Sequence, residues 1–179
     1  GDAGIITTNS KKIFEKIKLL RNYGSKIKYE NEVLGRNNRL DELQAAFLRI
    51  RIRNIEKEND IRRELAQRYI DNLSKSNINI KLPSYDKKYF LHSWHLFVVL
   101  IEDRYELQNY LYKKGIDTMI HYPIPPHKQK AFKGSSISQI SLPISEKIHK
   151  HCLSLPISAF HSLEQIDYVS ESILEKYSK

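Results

Sequence analysis

The sequence predicts the α/β fold class, built as the edge of an α/β layer followed by a long helix and a small α+β lobe. The first observation is a short β-rich run that leads directly into an amphipathic helix within residues 4–24. The second is a helical period that continues from Leu40 to Leu73. The third is the order strand, helix, strand, helix, helix after residue 94, which is typical of a mixed lobe.

The beginning of the chain predicts a strand, a cap and a helix. Gly4 to Thr8 is the β-rich run, and Asn9 or Ser10 can accept the first helical N–H groups. Gly24 suits the end of this helix, whose apolar face carries Ile13, Phe14, Ile17 and Leu20. The opening Gly1-Asp2-Ala3-Gly4 and a first strand without a partner lead us to expect that sequence ahead of it is missing.

The middle of the chain predicts a loop and then a long helix. Residues 25–38 are polar and without a period, which indicates a loop. If the following helix is unbroken from Leu40 to Leu73, it covers about 34 residues and is roughly 50 Å long. We expect a helix of that length to bridge two parts of a larger molecule or to lie along a dimer, with a possible kink at Asn59-Asp60. Its apolar positions are Leu40, Leu43, Phe47, Ile50, Ile61, Leu65, Tyr69 and Leu73.

The second half begins with a connector over residues 77–88, which contains Pro83. Residues 94–101 are nearly all apolar and predict a strand buried on both faces. A helix then follows with Asp103 and Glu106 as a capping pair, and it ends at Gly115. Its predicted apolar side is Leu107, Tyr110 and Leu111.

The remaining elements are a strand and two helices. Ile116 to Tyr122 predicts the second strand, which a cluster of three prolines stops. A short helix is expected over Ser145 to Leu153. The last helix begins with Ser162 and Gln165 as a capping box, and its inward residues are Ile166, Val169 and Ile173.

Composition excludes several classes of protein. A hydrophobic fraction of 40% with 10% aromatic residues argues against a disordered tail. No apolar run approaches the roughly 20 residues that span a bilayer, and a single cysteine, Cys152, rules out an internal disulfide framework and a cysteine-based zinc site. The net charge of +9 is mixed with acidic residues along the chain, which disfavours a nucleic-acid groove. We expect a soluble, cytoplasmic protein with no nucleic-acid or membrane partner.

Two segments contain residues suited to a binding site. Residues 35–46 place polar, anion-binding groups at the start of the long helix, where free N–H groups and the helix dipole favour phosphate. Residues 120–127 carry a histidine and a tyrosine from a strand into a proline-stiffened loop. A helix cap and a rigid turn are the structural alternatives for these segments. The pairs His149/His151 and His92/His95 lack metal-ligand spacing.

These segments resemble those of the nucleotide-sugar aminotransferase family called DegT/DnrJ/EryC1/StrS. The similar motifs occur in one order along nearly the whole chain: the opening glycine-acid turn, Arg-Asn-Tyr-Gly at 21–24, Asn-x-Arg-Leu-Asp at 37–41, Trp-His-Leu-Phe-Val-Val at 94–99, His-Tyr-Pro at 121–123 and Leu-Ser-Leu-Pro-Ile at 153–157. The resemblance implies the aspartate-aminotransferase-like fold, called fold type I. Residues 1–24 would then be a remnant of the large domain, 25–38 an active-site and dimer loop, and 39–179 the long helix with the small α+β domain.

The resemblance also implies an activity. Pyridoxal 5′-phosphate would carry an amino group from glutamate to a nucleotide-linked keto-sugar, a dTDP-3-keto-6-deoxyhexose, for amino-sugar and surface-polysaccharide synthesis. The imine-forming lysine of the family would precede Gly1. No lysine of this sequence matches it, so we expect the segment alone to be inactive.

Five residues match positions of the family that bind ligands. The resemblance implies that Asn37 reaches the cofactor phosphate of the partner subunit in a homodimer and that Arg39 supports it. Arg36, which stands where the family has an aromatic residue, and His121 with Tyr122 are implied at the sugar-nucleotide pocket. The alternatives are a related dehydratase, which has histidine in place of the lysine, and a non-catalytic binding fragment.

Overall fold

The computed structural model describes residues 3–84, 88 and 90–178 of the chain. Within it, the chain divides into two compact units, Gly1–Ile55 and Glu56–Lys179. The domain boundaries predicted at residues 24 and 38 stay a prediction. Gly1 and Asp2 of the predicted glycine-acid turn lie outside the described residues.

The first unit begins with an irregular segment and helix α1, Lys11–Leu20. Ser10 is the N-cap, and its hydroxyl accepts from the Ile13 N–H, which confirms the predicted start. The strand predicted over residues 4–8 is wrong, because this stretch forms no ladder with any described segment. A strand needs a neighbour for its N–H and C=O groups, and a β-rich composition cannot supply one.

The segment predicted as a loop contains a short antiparallel pair. Strand β1, Ser25–Ile27, pairs with β2, Glu30–Asn31, so the loop prediction is corrected over these residues. The turn before β1 uses positive φ angles of 57° at Tyr23 and 72° at Gly24. The Gly24 N–H donates to the Leu19 carbonyl at 3.0 Å, so the glycine lies just beyond a helix that ends earlier than predicted.

The predicted long helix is interrupted, so the condition of an unbroken helix from Leu40 to Leu73 is not met. Helix α2 spans Glu42–Arg51, a 3₁₀ turn follows at Ile52–Asn54, and helix α3 spans Ile55–Leu73. The break falls at Ile52, not at Asn59-Asp60, in a stretch whose β-branched isoleucines have reduced helix propensity. The apolar positions divide accordingly: Leu65, Tyr69 and Leu73 are buried, whereas Leu43, Phe47 and Ile50 are exposed.

The sheet of the second unit joins strands that are far apart in sequence. Strand β3, Phe97–Leu100, pairs antiparallel with β4, Cys152–Leu155, with Phe97 opposite Leu155. Single bridges extend it on both sides, from Lys81 to Leu100 and from Met119 to Ser154. The predicted connector therefore reaches the sheet at Lys81, and its residues 85–87 lie outside the described ranges.

Two element boundaries and the burial of one strand differ from the prediction. The strand expected over residues 116–122 is reduced to the bridge at Met119. The helix expected to reach Leu153 ends at His151, because the next four residues pair with β3 as β4 and are all buried. The residues of β3 alternate between buried and half-buried, so it is not buried on both faces as predicted.

The core of the second unit lies between this sheet and the helices. Helices α4 (Arg104–Lys113) and α6 (Leu163–Tyr177) pack against each other, and the buried residues of α3 belong to the same core. Helix α5 spans Pro143–His151. The rings of Tyr69 and Phe97 stack at 4.7 Å between centroids. Burying each such side chain contributes about 1.5–3 kcal/mol. The hydrophobic core residues with no measurable exposure are Ala66, Tyr69, Phe97, Val99, Leu107, Leu111, Leu153 and Ile173.

The two predicted capping boxes have different outcomes. The box of Ser162 and Gln165 forms as predicted, and Ile166, Val169 and Ile173 of α6 are buried. The pair at Asp103 does not form, because the Asp103 carboxylate accepts hydrogen bonds from Tyr177 at 2.7 Å and from Lys176 at 3.1 Å. A tertiary partner on α6 therefore replaces the local cap.

None of the helices in the described part of the chain combines the length and apolar character needed to cross a membrane.

An ion pair between α3 and α6 predicts a pH dependence of stability. Asp167 accepts from Arg68 at 2.6 and 2.8 Å and from Asn72 at 2.7 Å. The Arg68 and then the Asn72 hydrogen bonds lower the pKa of Asp167 from 3.8 to about 2. Since the folded pKa lies below the unfolded one, this stabilisation is present above about pH 4 and is lost as the pH falls toward 2.

We therefore expect Asp167→Asn to destabilise the chain above pH 4 and to converge with the wild type by pH 2. Urea unfolding across this range measures the difference in free energy. Asp60→Asn is the control, because Asp60 is 71% exposed and pairs with Arg63 of its own helix, which predicts a change within about 0.5 kcal/mol. A difference between wild type and Asp167→Asn that stays constant from pH 4 to pH 2 would contradict this account.

Candidate functional site

The backbone around Asn37 is held by a close crossing of two segments in the first unit. Tyr23 N–H donates to the Arg36 carbonyl at 3.0 Å, and Asn38 N–H donates to the Arg21 carbonyl at 2.9 Å. Glycine is required where the segments touch, since a Cβ at Gly35 would lie 2.1 Å from the Gly24 nitrogen. The crossing therefore places residues 36–38 directly against the turn that follows α1.

Asn37 and Arg39 form a hydrogen-bonded pair above this crossing. Arg39 Nε donates to Asn37 Oδ1 at 3.1 Å, and Arg39 Nη1 donates to Asn22 Oδ1 at 3.4 Å. The Arg39 guanidinium also lies 5.5 Å from the centre of the Tyr23 ring. Because Asn37 Oδ1 accepts from Arg39, the amide orientation is fixed and its NH₂ group is left as a donor.

Arg39 of this pair also lines a basic pocket of about 450 Å³. Its charged lining is Lys18, Arg21, Lys26, Arg39 and Glu15, so cations outnumber acids. Lys26 Nζ is paired with Glu32 at 2.6 Å on the exposed surface. The excess of cations favours an anionic ligand.

The anion-binding side chains predicted at the start of the long helix lie ahead of helix α2 in the structure, not at its N-terminus. Helix α2 begins at Glu42 after Asp41, so its N-terminus carries carboxylates instead of anion-binding groups. Asn37 and Arg39 lie in the extended segment ahead of it. The side chain of Arg36 is exposed, and its backbone takes part in the crossing through Leu20 and Tyr23.

Sequence reasoning missed Asn22 and the basic side chains of the pocket. The signal was present in the Arg-Asn-Tyr-Gly motif, which was assigned no role. Asn22 and Asn37 form a backbone bridge although they are fifteen positions apart, and periodicity does not reveal such a contact.

The second group, His121 with Tyr122, lies in the second unit. His121 Nδ1 is 2.9 Å from Ser154 Oγ of β4. His149 Nδ1–H donates to the Tyr122 carbonyl at 2.6 Å. The Tyr122 side chain is 64% exposed, while His121 is half-buried. The His121 ring and the Tyr122 carbonyl are therefore held, while the Tyr122 ring is presented to solvent.

His127 anchors the loop that follows this pair. It is 2% exposed, and its Nε2–H donates to Glu146 Oε1 at 2.9 Å. Leu142 N–H donates to the same carboxylate oxygen at 3.1 Å. These two hydrogen bonds lower the pKa of Glu146. Because the buried His127 ring is engaged with Glu146, we assign it the role of holding the loop that follows the His-Tyr-Pro residues.

No group of three or more His, Cys, Asp or Glu side chains among the described residues is arranged to hold a metal ion. His149 is engaged with Tyr122, and the ring of His92 accepts from the Trp94 N–H at 2.9 Å. Within each unit, then, Asn37 meets Arg39, and His121 adjoins Tyr122.

Comparison with known proteins matches nearly the whole chain to one family. Residues 1–174 match the DegT/DnrJ/EryC1/StrS aminotransferase family. The chain is 47% identical over 170 residues to the dTDP-3-amino-3,6-dideoxy-alpha-D-galactopyranose transaminase of Aneurinibacillus thermoaerophilus, covering 95% of the chain and 46% of that protein. It is 39% identical over 178 residues to the dTDP-3-amino-3,4,6-trideoxy-alpha-D-glucose transaminase of Streptomyces venezuelae, covering 96% and 46%.

Solved structures are similar over the same length. The crystal structure of S. venezuelae DesV in complex with a ketimine intermediate aligns with a TM-score of 0.89 at 38% identity, covering 96% of the chain and 46% of DesV. The NtdA protein of Bacillus subtilis with bound cofactor PMP aligns with a TM-score of 0.84 at 29% identity, covering 94% and 40%.

The chain thus spans about half the length of these curated relatives. The fold expected from the motifs, that of the sugar aminotransferases, agrees with the structural match at high TM-score. On the family match over residues 1–174 and the identity of 47% to a curated member, the chain belongs to the DegT/DnrJ/EryC1/StrS aminotransferase family.

Proposed function

We propose that the chain forms part of a pyridoxal-phosphate-dependent aminotransferase that acts on a nucleotide-linked keto-sugar. Its substrate is a dTDP-3-keto-6-deoxyhexose and its amino donor is glutamate. Two relatives carry names of transaminases for dTDP-linked 3-amino sugars, at 47% and 39% identity, and these names support the substrate class. The observation that carries the proposal is the fixed pair of Asn37 and Arg39 beside a basic pocket.

The residues of the first unit fit the phosphate of the cofactor. Phosphate oxygens only accept hydrogen bonds, and Asn37 offers an NH₂ group whose direction Arg39 sets. The cations around the pocket add a favourable potential for a phosphate dianion. Asn37 would hold the phosphate and Arg39 would hold Asn37. Pyridoxal phosphate supplies an electron sink that stabilises negative charge at the reacting carbon.

The residues of the second unit fit the sugar side of the substrate. The exposed Tyr122 ring gives a flat apolar surface with a hydroxyl that can donate to a sugar oxygen. His121 is oriented by Ser154, so its outer ring nitrogen can meet a polar group in a defined direction. We propose that Arg36, exposed in the first unit, contributes a cation to the substrate diphosphate.

A second subunit would receive the phosphate-binding group of Asn37. Helix α2 exposes Leu43, Phe47 and Ile50 at 76%, 67% and 61%. An apolar face of this kind on one helix is typical of a protein interface. Asn37, which lies ahead of α2, would then serve the active site of the partner subunit.

The proposed reaction is tested by following the amino group. The full-length holoenzyme is incubated with ¹⁵N-glutamate and dTDP-3-keto-6-deoxyglucose, and the sugar nucleotide is analysed by mass spectrometry and ¹⁵N NMR. We expect ¹⁵N on carbon 3 of the sugar and 2-oxoglutarate as co-product. The 4-keto isomer is the control substrate and should react more slowly.

Two outcomes would overturn the proposal. Loss of water from the sugar with the label retained in glutamate would indicate a dehydratase. Binding of the sugar nucleotide with no change in either compound would indicate a binding protein.

A further inference from the structure

Arg104, the first residue of α4, is a buried cation. It is 4% exposed, and none of the ion pairs between residues in the described ranges involves it. Its guanidinium donates to the His149 carbonyl, to the Cys152 carbonyl at 3.4 Å and to the Tyr105 hydroxyl at 3.0 Å. A buried guanidinium is costly unless such acceptors surround it.

The two carbonyls belong to the end of helix α5. The last carbonyls of a helix have no partner within it and carry partial negative charge. Cys152 is the C-cap of α5, and His149 lies in its last turn. Arg104 therefore donates hydrogen bonds to the unpaired carbonyls at the end of α5, and the partial negative charge of these carbonyls stabilises the buried guanidinium.

The same short stretch of chain holds the proposed substrate loop. His149 donates to the Tyr122 carbonyl at 2.6 Å, and the Cys152 thiol lies 3.8 Å from that oxygen. Ser154, two residues further along β4, contacts His121. Residues 149–154 thus carry the side chains that fix both His121 and Tyr122.

Helix α4 also holds the chain ahead of this loop. Gln108, one turn after Arg104, donates from Nε2 to the Thr118 carbonyl at 3.0 Å. Two connections therefore join α4 to the loop that carries His121 and Tyr122. Gln108 binds the chain ahead of the loop at Thr118, and Arg104 binds the end of α5, whose His149 contacts Tyr122.

We propose that Arg104 is a positioning residue for the substrate loop, acting through the end of α5 and the His149 ring on the Tyr122 carbonyl. Loss of the guanidinium frees the His149 carbonyl and lets the last turn of α5 fray. The His149 ring then no longer meets Tyr122. This inference rests on the proposed function only in taking Tyr122 as a substrate contact.

The first test is spectroscopic and independent of activity. In ¹³C,¹⁵N-labelled protein, long-range ¹H–¹⁵N spectra report the Nδ1–H tautomer of His149, and the ¹³C shift of the Tyr122 carbonyl reports its hydrogen bond. Arg104→Gln should convert His149 to a tautomer mixture and shift the Tyr122 carbonyl, with Arg104→Lys restoring part of both signals. Unchanged signals in Arg104→Gln would overturn the proposal.

Arg68→Met is the matched control. Arg68 also joins two helices, through its two hydrogen bonds to Asp167, but it touches no part of the substrate loop. It should lower stability while leaving the His149 and Tyr122 signals at their wild-type positions. Equal changes in both variants would show that Arg104 acts only through general stability. Should Arg104→Gln fail to fold, Arg104→Lys against wild type decides the same question.

The second test measures ligand affinity by calorimetry with thymidine diphosphate as the probe. Loss of one positioned contact predicts about tenfold weaker binding in Arg104→Gln and no change in Arg68→Met. These affinities are measured in the full-length protein. Failure of the full-length wild type to bind the probe would count against the proposed function, while the spectra still decide the role of Arg104. Wild-type affinity in Arg104→Gln would overturn the positioning role.

Discussion

Gly35→Ala is expected to open the crossing beneath Asn37 and Arg39 and so to disrupt the proposed phosphate site of the first unit. The new Cβ would lie 2.1 Å from the Gly24 nitrogen and 2.6 Å from the Tyr23 carbonyl carbon. Both are backbone atoms, which cannot rotate away as a side-chain tip can. The two segments must therefore separate, at a cost of roughly 3 kcal/mol, the upper end for overpacking.

Amide hydrogen exchange measures this loss locally. The N–H groups of Tyr23, Arg36 and Asn38 form the hydrogen bonds of the crossing. Their exchange should accelerate by roughly a hundredfold in Gly35→Ala if they exchange through local opening. Amides of the β3–β4 sheet should keep their wild-type rates, since they belong to the other unit.

Gly4→Ala is the control for replacing a glycine in the first unit. Nothing lies within 4 Å of a Cβ at that position. Its exchange rates should match those of the wild type. Protection of Tyr23 and Arg36 that persists in Gly35→Ala would contradict the steric argument.

Asn37→Ala is expected to weaken cofactor binding by about 10- to 100-fold in the full-length holoenzyme. A hydrogen bond to a charged group contributes about 1.5–3 kcal/mol, which corresponds to that range. The substitution also removes the acceptor that orients Arg39 Nε. Fluorescence titration of the apoenzyme with pyridoxal phosphate measures the affinity.

Asn38→Ala is the matched control for this prediction. Asn38 is adjacent and of the same type, but its bond to Arg21 uses the backbone N–H, which alanine retains. Its cofactor affinity should equal that of the wild type. Equal affinities in Asn37→Ala and wild type would contradict the assigned role.

Mixing subunits tests whether Asn37 serves the partner's active site. An Asn37→Ala subunit is combined with a subunit whose imine-forming lysine, expected upstream, is replaced by alanine. If the site is shared, each mixed dimer regains one complete site, and random exchange restores about a quarter of wild-type activity. If Asn37 serves its own subunit, mixing restores nothing.

Local signals accounted for much of the fold. Ser10 and the Ser162–Gln165 box cap their helices as predicted, because a cap depends on residues three positions apart. The buried faces of α3 and α6 follow from the helical period for a similar reason. The family match over residues 1–174 likewise follows motifs that are continuous in sequence.

Long-range pairing accounted for the errors. Residues 152–155 form a short apolar run that suits the end of a helix as well as a strand. Only the pairing of Cys152 with Leu100 decides for the strand. Asp103 has a local capping partner in Glu106 but is engaged by Tyr177, 74 positions away. A short window of sequence contains neither contact.

For this protein, the sequence by itself determined the order of the helices, the caps of α1 and α6, the buried positions of α3 and α6, and the family motifs. These depend on neighbours within a few residues, whose geometry is nearly the same in any chain. The tertiary structure alone decided that Asn22 meets Arg39, that Ser154 meets His121 and that Arg104 meets the end of α5. Those contacts join residues 17 to 45 positions apart, and which of many possible partners they find depends on how the whole unit packs.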